Sequence, residues 1–353
     1  MLLAFCKQLL RIKTGESDMI RVWFNHWFST AYGIIELMKK DEEETIYVIG
    51  TNVNRDSVIQ KVCDEWYTEP KVTGEEYIDF CLSFCKEHEI NVFVPRRCMT
   101  EISRNKGRFE EIDVKVLVDD YKAISILESK GDTYNYFKGY ENIKIPDYRT
   151  VTTACKFAQA YKELSEEYEQ ICVKFVRDEG AMSFRKISNN LNAFERLKIY
   201  QGTSISYNDL YNALSERDKF DELMVMPYLA GEEVSVDCLR TDSGTIAIPR
   251  IKSQMRHERI VYDTNVISMT ANVLHKLNLE YPCNVQFRYH NGELYLLEVN
   301  TRMSGGLQMS CLAAGVNIPN IALNKLLGKD INWSIDDESE KVVSFIEIPK
   351  IIR

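Results

Sequence analysis

The sequence has few of the cysteine and histidine patterns that mark a disulfide-stapled or metal-binding fold. Its ten cysteines form no Cys-x-x-Cys pair, and its five histidines stand apart without the spacing of metal ligands. Scattered thiols in a chain of 353 residues fit a reducing compartment better than a disulfide framework. A zinc site is therefore disfavoured, and we expect a cytoplasmic protein.

Long apolar runs and an excess of positive charge are missing as well. No apolar run reaches the length of a transmembrane helix. The formal net charge of -9 argues against nucleic acid or a membrane surface as the partner. Residues 1–18 hold a short apolar run followed by Arg11 and Lys13, without the small-residue cleavage site of a secretory signal. An α/β pattern begins directly after Met19, so Met1 and Met19 both stand as candidate translation starts.

A glycine-rich turn after the first predicted strand is also absent. That strand is followed by His26, Trp27 and Phe28, so the dinucleotide fingerprint is missing and a dehydrogenase is disfavoured. Strands and helices nevertheless alternate with short connections, which predicts a parallel sheet. The three aromatic residues then either face a substrate at the carboxyl edge of that sheet or pack inside. The predicted strands are 20–24, 45–50 and 90–95, and the predicted helices are 77–88 and 29–40, the latter capped by Ser29 or Thr30.

The most informative stretch is a predicted hairpin at 283–306. The Asn-Gly pair at 291–292 is the strongest short-range turn signal, and strand-like runs flank it. Because side chains alternate along a strand, Gln286 lies within cross-strand reach of Glu298, and Asn300 shares a face with Glu298. Three oxygen-bearing side chains of low total charge can thus converge, as suits magnesium that a polyphosphate also binds. The alternative is a surface hairpin whose polar face is simply hydrated.

This hairpin resembles the metal-binding hairpin of ATP-grasp enzymes. Asn-Val-Gln-Phe before Glu-Val-Asn-x-Arg is similar to the carbamoyl-phosphate synthetase large chain, Glu-x-Asn-Thr-Arg to biotin carboxylase, and the Ser-Gly-Gly that follows to ATP-grasp amide and peptide ligases. The resemblance implies that Gln286, Glu298 and Asn300 hold Mg²⁺ or Mn²⁺ on the phosphates of ATP. It also implies a catalytic Arg302, whose guanidinium fork would meet the γ-phosphate or an acyl phosphate.

Two lysines and a loop complete the phosphate site that the resemblance implies. Lys174 lies in an apolar predicted strand at 171–176, where a charge is costly to bury and should face a cleft or an anion. By resemblance it touches the ATP phosphates and the adenine edge. Lys130 would be a second phosphate contact, unless it is a solvated lysine at a helix end. Gly180 and Ser183 match the small-residue loop whose backbone N–H groups cover the phosphates.

The predicted strand at 223–229 is similar to the adenine-binding hinge of the superfamily. The resemblance implies that backbone groups near Met226 and Tyr228 bind adenine. Glu233 would accept from the ribose hydroxyls, or would be an ordinary carboxylate at a strand start. Arg250, at the end of a predicted strand at 246–250, is the implied phosphate contact and a second catalytic residue. An anion trap follows within ten positions, although Arg256 and Arg259 could equally bind the acyl substrate or lie on the surface: Lys252, Arg256, His257 and Arg259.

The resemblance extends over about 19–352 and implies an α/β fold of the α+β ATP-grasp type. An N-terminal extension at 1–18 would precede a parallel-sheet pre-ATP-grasp domain at 19–115. A two-lobed ATP-grasp domain would occupy 116–353, with a lid at about 170–225. The remaining predicted helices are 121–130, 134–140, 152–168, 189–200, 207–214, 263–277, 308–314 and 318–327, with a last strand at 342–346.

The implied activity is that of an ATP-dependent carboxylate–amine ligase. It would form an amide or peptide bond through an acyl phosphate and release ADP and phosphate, under a lid that keeps water out. Two alternatives stay open: an enzyme that phosphorylates a small carboxylate such as bicarbonate or carbamate, and a degenerate ATP-binding sensor or scaffold without turnover. The implied partners are a small-molecule carboxylate and amine, whose identity the sequence leaves open, and a second copy in a homodimer.

Overall fold

The structure is a computed structural model that describes residues 19–41, 44–177, 182–188, 194, 203–253, 257–335 and 337–353. The strands within these ranges are β1 Ile20–Asn25, β2 Ile46–Asn52, β3 Glu65–Thr68, β4 Val92–Val94, β5 Lys115–Val116, β6 Arg149–Val151, β7 Ile171–Phe175, β8 Arg185–Ile187, β9 Ser204–Ile205, β10 Leu223–Pro227, β11 Glu233–Thr241, β12 Gly244–Lys252, β13 His257–Ile260, β14 Cys283–His290, β15 Glu293–Asn300 and β16 Lys341–Ser344. The helices are α1 Ala31–Met38, α2 Gly74–Glu87, α3 Met99–Arg104, α4 Lys106–Glu110, α5 Tyr121–Leu127, α6 Lys130–Phe137, α7 Ala154–Glu167, α8 Tyr207–Ser215, α9 Thr264–Leu277, α10 Leu307–Ala314 and α11 Ile318–Leu327, and a 3₁₀ turn covers Val58–Lys61.

The first sheet, in the order β3-β2-β1-β4-β5, is parallel throughout, as the alternating pattern predicts. Its strands are apolar on both faces because α1 covers one face and α2 the other. Trp23 stacks on Phe93 in this core with ring centroids 4.1 Å apart. Parallel strands end at a common edge, so the chain leaves β1 at His26 and β4 at Arg96 on the same side of the molecule.

The other two sheets form the second half of the chain. The middle sheet, in the order β6-β10-β7-β8-β9, packs one face on α7 and α8. The C-terminal sheet, in the order β15-β14-β11-β12-β13-β16, is antiparallel throughout. One face of it is apolar and packs on α9. The other face is apolar at Leu239, Ile246, Ile248 and Ile260, which join a second core, and polar nearer the hairpin. An antiparallel sheet with such alternation can present its polar face to a ligand.

Several element boundaries differ from the predicted ones for local reasons. Lys130 begins α6 and does not end the preceding helix, because the Ser129 side chain caps α6 by accepting from the Asp132 N–H at 3.2 Å. Thr30 occupies the predicted N-cap position of α1, although its side chain makes no capping hydrogen bond. Helix α2 begins three residues early, at Gly74.

The strands that the sequence did not reveal are short or lie at sheet edges: β3, β5, β6, β8, β9 and β13. Strands of two to four residues offer too little periodicity to be recognised. The predicted helix at 189–200 lies outside the described residues, apart from Phe194. Over the described parts of the chain, no helix is both long and apolar enough to cross a bilayer.

Candidate active site

The predicted hairpin is present as β14 and β15, with Gln286 directly opposite Glu298 and Asn284 opposite Asn300. Both residues of the Asn-Gly turn at 291–292 have positive φ, 51° and 81°, as a two-residue hairpin turn of the primed type requires. A bulge directly after Gln286 shifts the register once. The register of the turn alone would place Leu297 opposite Gln286, so this bulge is what brings Gln286, Glu298 and Asn300 to one face of the sheet.

Neighbouring strands continue this polar face across the sheet. On β11, Ser235 lies opposite Gln286 and Glu233 lies opposite Arg288. On β12, Arg250 lies opposite Ser235. The residues between these positions are apolar and pack into the core beneath α9. One uninterrupted row of polar side chains thus runs from the hairpin toward β12.

A cavity of about 490 Å³ lies over part of this face, between the C-terminal and middle sheets. Its size falls within the usual range for small-molecule sites. Nine of the twelve predicted site residues line it: Lys130, Lys174, Met226, Tyr228, Glu233, Gln286, Glu298, Asn300 and Arg302. The structure therefore collects side chains from five separate stretches of sequence around one space.

Two lysines approach the hairpin from the opposite wall of this cavity. Lys130 Nζ lies 3.8 Å from Glu298 Oε1. Burial and, to a smaller extent, the nearby charge of Lys130 lower the pKa of Lys174 to about 8, although Glu298 and Glu233 act in the opposite direction. Because burial disfavours the charged form of Lys174, an anion that enters the cavity would strongly stabilise its ammonium group.

The hinge strand β10 forms the floor of the cavity through Met226 and Tyr228. The Tyr228 N–H donates to the Gln170 carbonyl at 2.7 Å, and Pro227 has no N–H. Neither residue therefore offers a backbone N–H to the cavity. The Tyr228 ring lies beneath the Lys186 ammonium group, with Nζ 4.3 Å from the ring centroid.

The other predicted contacts are engaged within the protein, lie away from the cavity or fall outside the described residues. Ser183 does not line the cavity, and its Oγ accepts from the Phe175 N–H at 2.9 Å, which ties the loop to β7. Gly180 and Arg256 lie outside the described residues. Of the predicted anion trap, Lys252 lines the cavity and pairs with Glu233. Arg259 and His257 are both half-buried on β13, and Arg259 pairs with Glu232 and Glu340.

Arg250 is buried behind the hairpin and is not part of the cavity lining. Its residue is 2% exposed, its Nε donates to Asp237 Oδ2 at 2.9 Å, and its Nη1 forms an ion pair with Glu258. Nη2 donates to Ser304 Oγ at 3.0 Å. A Cβ on Gly306 would overlap the guanidinium. Its direct phosphate contact is therefore corrected to a positioning role, which fixes the loop after β15.

A second cavity, of about 470 Å³, adjoins the first. It lies between the carboxyl edge of the N-terminal sheet and the end of β15. The two cavities share Lys130, Leu297, Glu298, Asn300 and Arg302 in their walls. His26 and Phe28 line the second cavity, whereas Trp27 is buried and donates from Nε1 to the Val94 carbonyl at 3.0 Å.

Arg96 and Arg97 also line the second cavity, and sequence reasoning missed both. They follow β4 directly, at the carboxyl end of a parallel strand, where ligands of α/β sheets commonly bind. That position is the signal that would have identified them. In the first cavity, Cys172 and Phe184 were likewise not singled out.

The three sheets, the hairpin and the two joined cavities define an ATP-grasp fold. Comparisons with known proteins agree. Residues 219–350 match the family model "ATP-grasp in the biosynthetic pathway with Ter operon", and residues 29–117 match the model "PylC-like, N-terminal domain". The chain is thus similar to ATP-grasp proteins in its C-terminal part and to PylC-like proteins in its N-terminal part.

One curated relative is the carbamoyl phosphate synthase large chain of Clostridium botulinum (strain Alaska E43 / Type E3). It is 28% identical over 175 residues, which are 42% of this chain and 16% of that protein. The match thus spans about a sixth of the relative's length.

Three solved structures share the fold at low sequence identity. N5-carboxyaminoimidazole synthetase from Staphylococcus aureus, complexed with ADP, has a TM-score of 0.67 and 13% identity over 92% of this chain and 81% of that one. The L-amino acid ligase from Bacillus licheniformis has a TM-score of 0.63 and 12% identity over 87% and 74%. The biotin carboxylase domain of Hydrogenobacter thermophilus 2-oxoglutarate carboxylase, in complex with MgADP, ADP and bicarbonate, has a TM-score of 0.63 and 17% identity over 89% and 71%.

Proposed function

We propose that the protein is an ATP-dependent carboxylate–amine ligase that forms an amide or peptide bond through an acyl phosphate. The products besides the amide are ADP and phosphate. The observation that carries this proposal is the shared wall of the two cavities, which consists largely of Lys130, Glu298, Asn300 and Arg302. A phosphoryl group can pass between two bound substrates only where their sites meet.

The first cavity is the proposed ATP site. Lys174 and Lys130 offset phosphate charge from one wall, and Met226 with Tyr228 forms the surface for the adenine ring. Glu233, at the start of β11, is the proposed ribose contact, and its pairing with Lys252 must rearrange to admit a hydroxyl donor. Phosphoryl transfer needs little covalent chemistry from the protein, so positioning and charge carry the step.

Gln286, Glu298 and Asn300 supply three oxygen donors with a single negative charge, a set that fits Mg²⁺ bound together with a polyphosphate. When bound, the ion would offset charge on the transferring phosphoryl group. Lys130 lies beside Glu298 and limits the negative charge of the donor set. Arg302, the next cavity-facing residue after Asn300, orients the substrate carboxylate and then the acyl phosphate.

The second cavity is the proposed site of the carboxylate and the amine. The acyl phosphate would form at the shared wall, and the amine nitrogen would attack its carbonyl carbon with phosphate as the leaving group. Because acyl phosphates hydrolyse in water, the site has to close before transfer. The middle sheet, which forms one wall of the first cavity, is the part that we expect to close over the nucleotide.

The test is ADP formation by the purified protein with Mg²⁺, ATP and pools of carboxylates and amines. We expect ADP only when both substrates are present, and hydroxylamine should replace the amine to give a hydroxamate. The Glu298→Gln variant should lose this activity, while the Glu293→Gln variant on the exposed part of the same strand should retain it. ATP binding without ADP in any pool would contradict the ligase proposal and favour a sensor or scaffold.

Phosphorylation of a small carboxylate is the second candidate function. Its support is the likeness of part of this chain to a carbamoyl phosphate synthase large chain. ADP formation with bicarbonate or carbamate alone, without an added amine, would favour it over the ligase.

A further inference from the structure

Gln286 can serve as a metal ligand only if its side-chain amide is turned the right way. An amide has an oxygen at one end and an NH₂ group at the other, and only the oxygen binds a hard cation such as Mg²⁺. The two ends have nearly the same size, so packing alone does not select one orientation. The hydrogen bonds of Gln286 therefore decide which end faces the first cavity.

The structure provides a partner for the nitrogen end of this amide. Gln286 Nε2 donates to Asn284 Oδ1 at 3.4 Å. The two residues lie two positions apart on β14 and therefore share one face of the sheet. Because Asn284 holds the NH₂ group, the amide oxygen of Gln286 is the end that is left for the first cavity, which Gln286 lines.

The orientation of Asn284 is itself fixed by a buried carboxylate. Asn284 Nδ2 donates to Asp237 Oδ1 at 2.9 Å. It also donates to Ser235 Oγ at 3.0 Å and to the Val236 carbonyl at 3.2 Å. An ionised carboxylate only accepts hydrogen bonds, so Asp237 selects the NH₂ end of Asn284. The Asn284 oxygen then faces away from Asp237, where it accepts from Gln286.

Other donors hold Asp237 from its opposite side. Its second oxygen, Oδ2, accepts from Arg250 Nε at 2.9 Å and from Ser310 Oγ at 2.6 Å. These two contacts leave Oδ1 for Asn284. Both Asp237 and Asn284 are buried. A chain of hydrogen bonds thus runs from the buried Arg250 through Asp237 and Asn284 to Gln286 at the edge of the first cavity.

We propose that Asp237 and Asn284 are positioning residues that turn the amide oxygen of Gln286 toward the metal ion bound with ATP. This inference rests on the proposed function, since that function makes Gln286 a metal ligand. Neither positioning residue lines the two joined cavities, so both act through Gln286. Without them the amide can turn over and present its NH₂ group, which cannot bind a cation.

The experiment compares the binding of a non-hydrolysable ATP analogue to the full chain with Mn²⁺ and with EDTA. The ratio of the two dissociation constants is the metal-dependent gain in affinity, and its measurement by calorimetry needs no turnover. Asn284→Ala should reduce this gain by about 3- to 10-fold, the value of one hydrogen bond. Binding in EDTA should stay as in the wild type, because Asn284 does not line the cavity.

A second substitution separates positioning from a merely structural role. A carboxylate has an oxygen at both ends, so Gln286→Glu needs no orienting partner. In the Gln286→Glu background, Asn284→Ala should therefore leave the metal-dependent gain unchanged. An equal loss in the two backgrounds would overturn the inference, because the effect of Asn284 would then be independent of the group at position 286.

Two serine variants keep the test decisive if Asn284→Ala does not fold. Ser235 Oγ bonds both ends of the Asn284 amide, whereas Ser310 Oγ bonds the far oxygen of Asp237. Both serines are buried. Ser235→Ala should reduce the metal-dependent gain by about 2- to 5-fold, and the matched Ser310→Ala should leave it unchanged. Equal gains in the two variants would overturn the inference.

The inference is also overturned if the wild type binds the analogue equally well with Mn²⁺ and with EDTA. Failure of the proposed function looks different. In that case ADP formation is absent with every pool, while the metal-dependent gain and its reduction in Asn284→Ala are still measurable by calorimetry.

Discussion

Two regions on one face of the C-terminal sheet use the same kinds of side chain for opposite purposes. Behind the hairpin, Arg250 is buried and meets Asp237, Glu258 and Ser304 within hydrogen-bonding distance. In front of it, Arg302 and its neighbours are half-buried and line two joined cavities. The first region is enclosed by the protein, whereas the second borders space that a ligand can occupy.

The difference shows that a charged residue on a polar sheet face is not by itself a ligand contact. Burying an arginine is costly unless its partners are also buried and well placed. Arg250 meets that condition, and its guanidinium packs against the loop at Ser304 and Gly306. Arg302 is placed at the end of the strand, where the cavity begins. Loss of a charged side chain in the buried region should therefore affect stability, whereas loss of one in the cavity region should affect activity.

The largest expected effect is on the stability of the buried region. Arg250→Met should lower the free energy of unfolding by about 3–5 kcal/mol, because the carboxylates of Asp237 and Glu258 are then left without a cation. Urea denaturation followed by circular dichroism measures this. Arg149→Met is the control: it also has two carboxylate partners, Asp147 and Glu163, but its side chain is 42% exposed. It should cost only about 0–1 kcal/mol.

If Arg250→Met unfolds at the same urea concentration as Arg149→Met, the buried network does not stabilise the fold. A fully folded Arg250→Met protein that has lost ATP binding would instead restore Arg250 as a direct phosphate contact.

The corresponding change in the cavity region should act on activity. Glu298→Gln should reduce ADP formation by about 10²- to 10³-fold, because it removes the only carboxylate among the three proposed metal ligands. Its midpoint of urea unfolding should stay close to that of the wild type. Glu293→Gln, on the same strand but paired with Lys144 on the surface, should keep full activity. Similar activity in the two variants would remove Glu298 from the proposed site.

A pair of adjacent glycines tests how the two regions are joined. A Cβ at Gly306 would overlap the Arg250 guanidinium, whereas a Cβ at Gly305 would lie 3.3 Å from Thr30 Oγ1, where a small shift suffices. Gly306→Ala should therefore destabilise the fold by about 1–3 kcal/mol, and Gly305→Ala by less. Thermal unfolding of the two variants compares them directly. Equal midpoints would mean that the loop after β15 does not depend on its contact with Arg250.

The smallest expected effect is a pH dependence of ATP binding. Lys174 has a lowered pKa of about 8 before ligand binds, and phosphate groups beside it should raise that pKa. A group whose pKa rises on binding favours the complex at low pH, so affinity is lost as the pH rises through 8. The dissociation constant should weaken by about tenfold between pH 7 and pH 9. Calorimetry at both pH values measures it, and in Lys174→Met the ratio should be close to one.

The sequence was most informative where a feature depends on neighbours along the chain. The Asn-Gly turn sets the register beside it, and strand alternation places Glu298 and Asn300 on one face. Gln286 joins them only through a bulge that the sequence did not reveal. The parallel N-terminal sheet could likewise be predicted, because apolar strands and helices alternate along that part of the sequence. Short edge strands escaped prediction because their pairing partners, and not their own periodicity, make them strands.

Only the tertiary structure decided which charged side chains line the cavities. Nothing local distinguishes Arg250 from Arg302; the two differ in what distant segments place beside them. Asp237 and Glu258 enclose Arg250, whereas Arg302 lines both cavities. Register and alternation are properties of a strand, but the match of a charge to its surroundings depends on burial and on partners far away in sequence. The hairpin could therefore be predicted from the sequence. The difference between the buried Arg250 and the cavity-lining Arg302 required the tertiary structure.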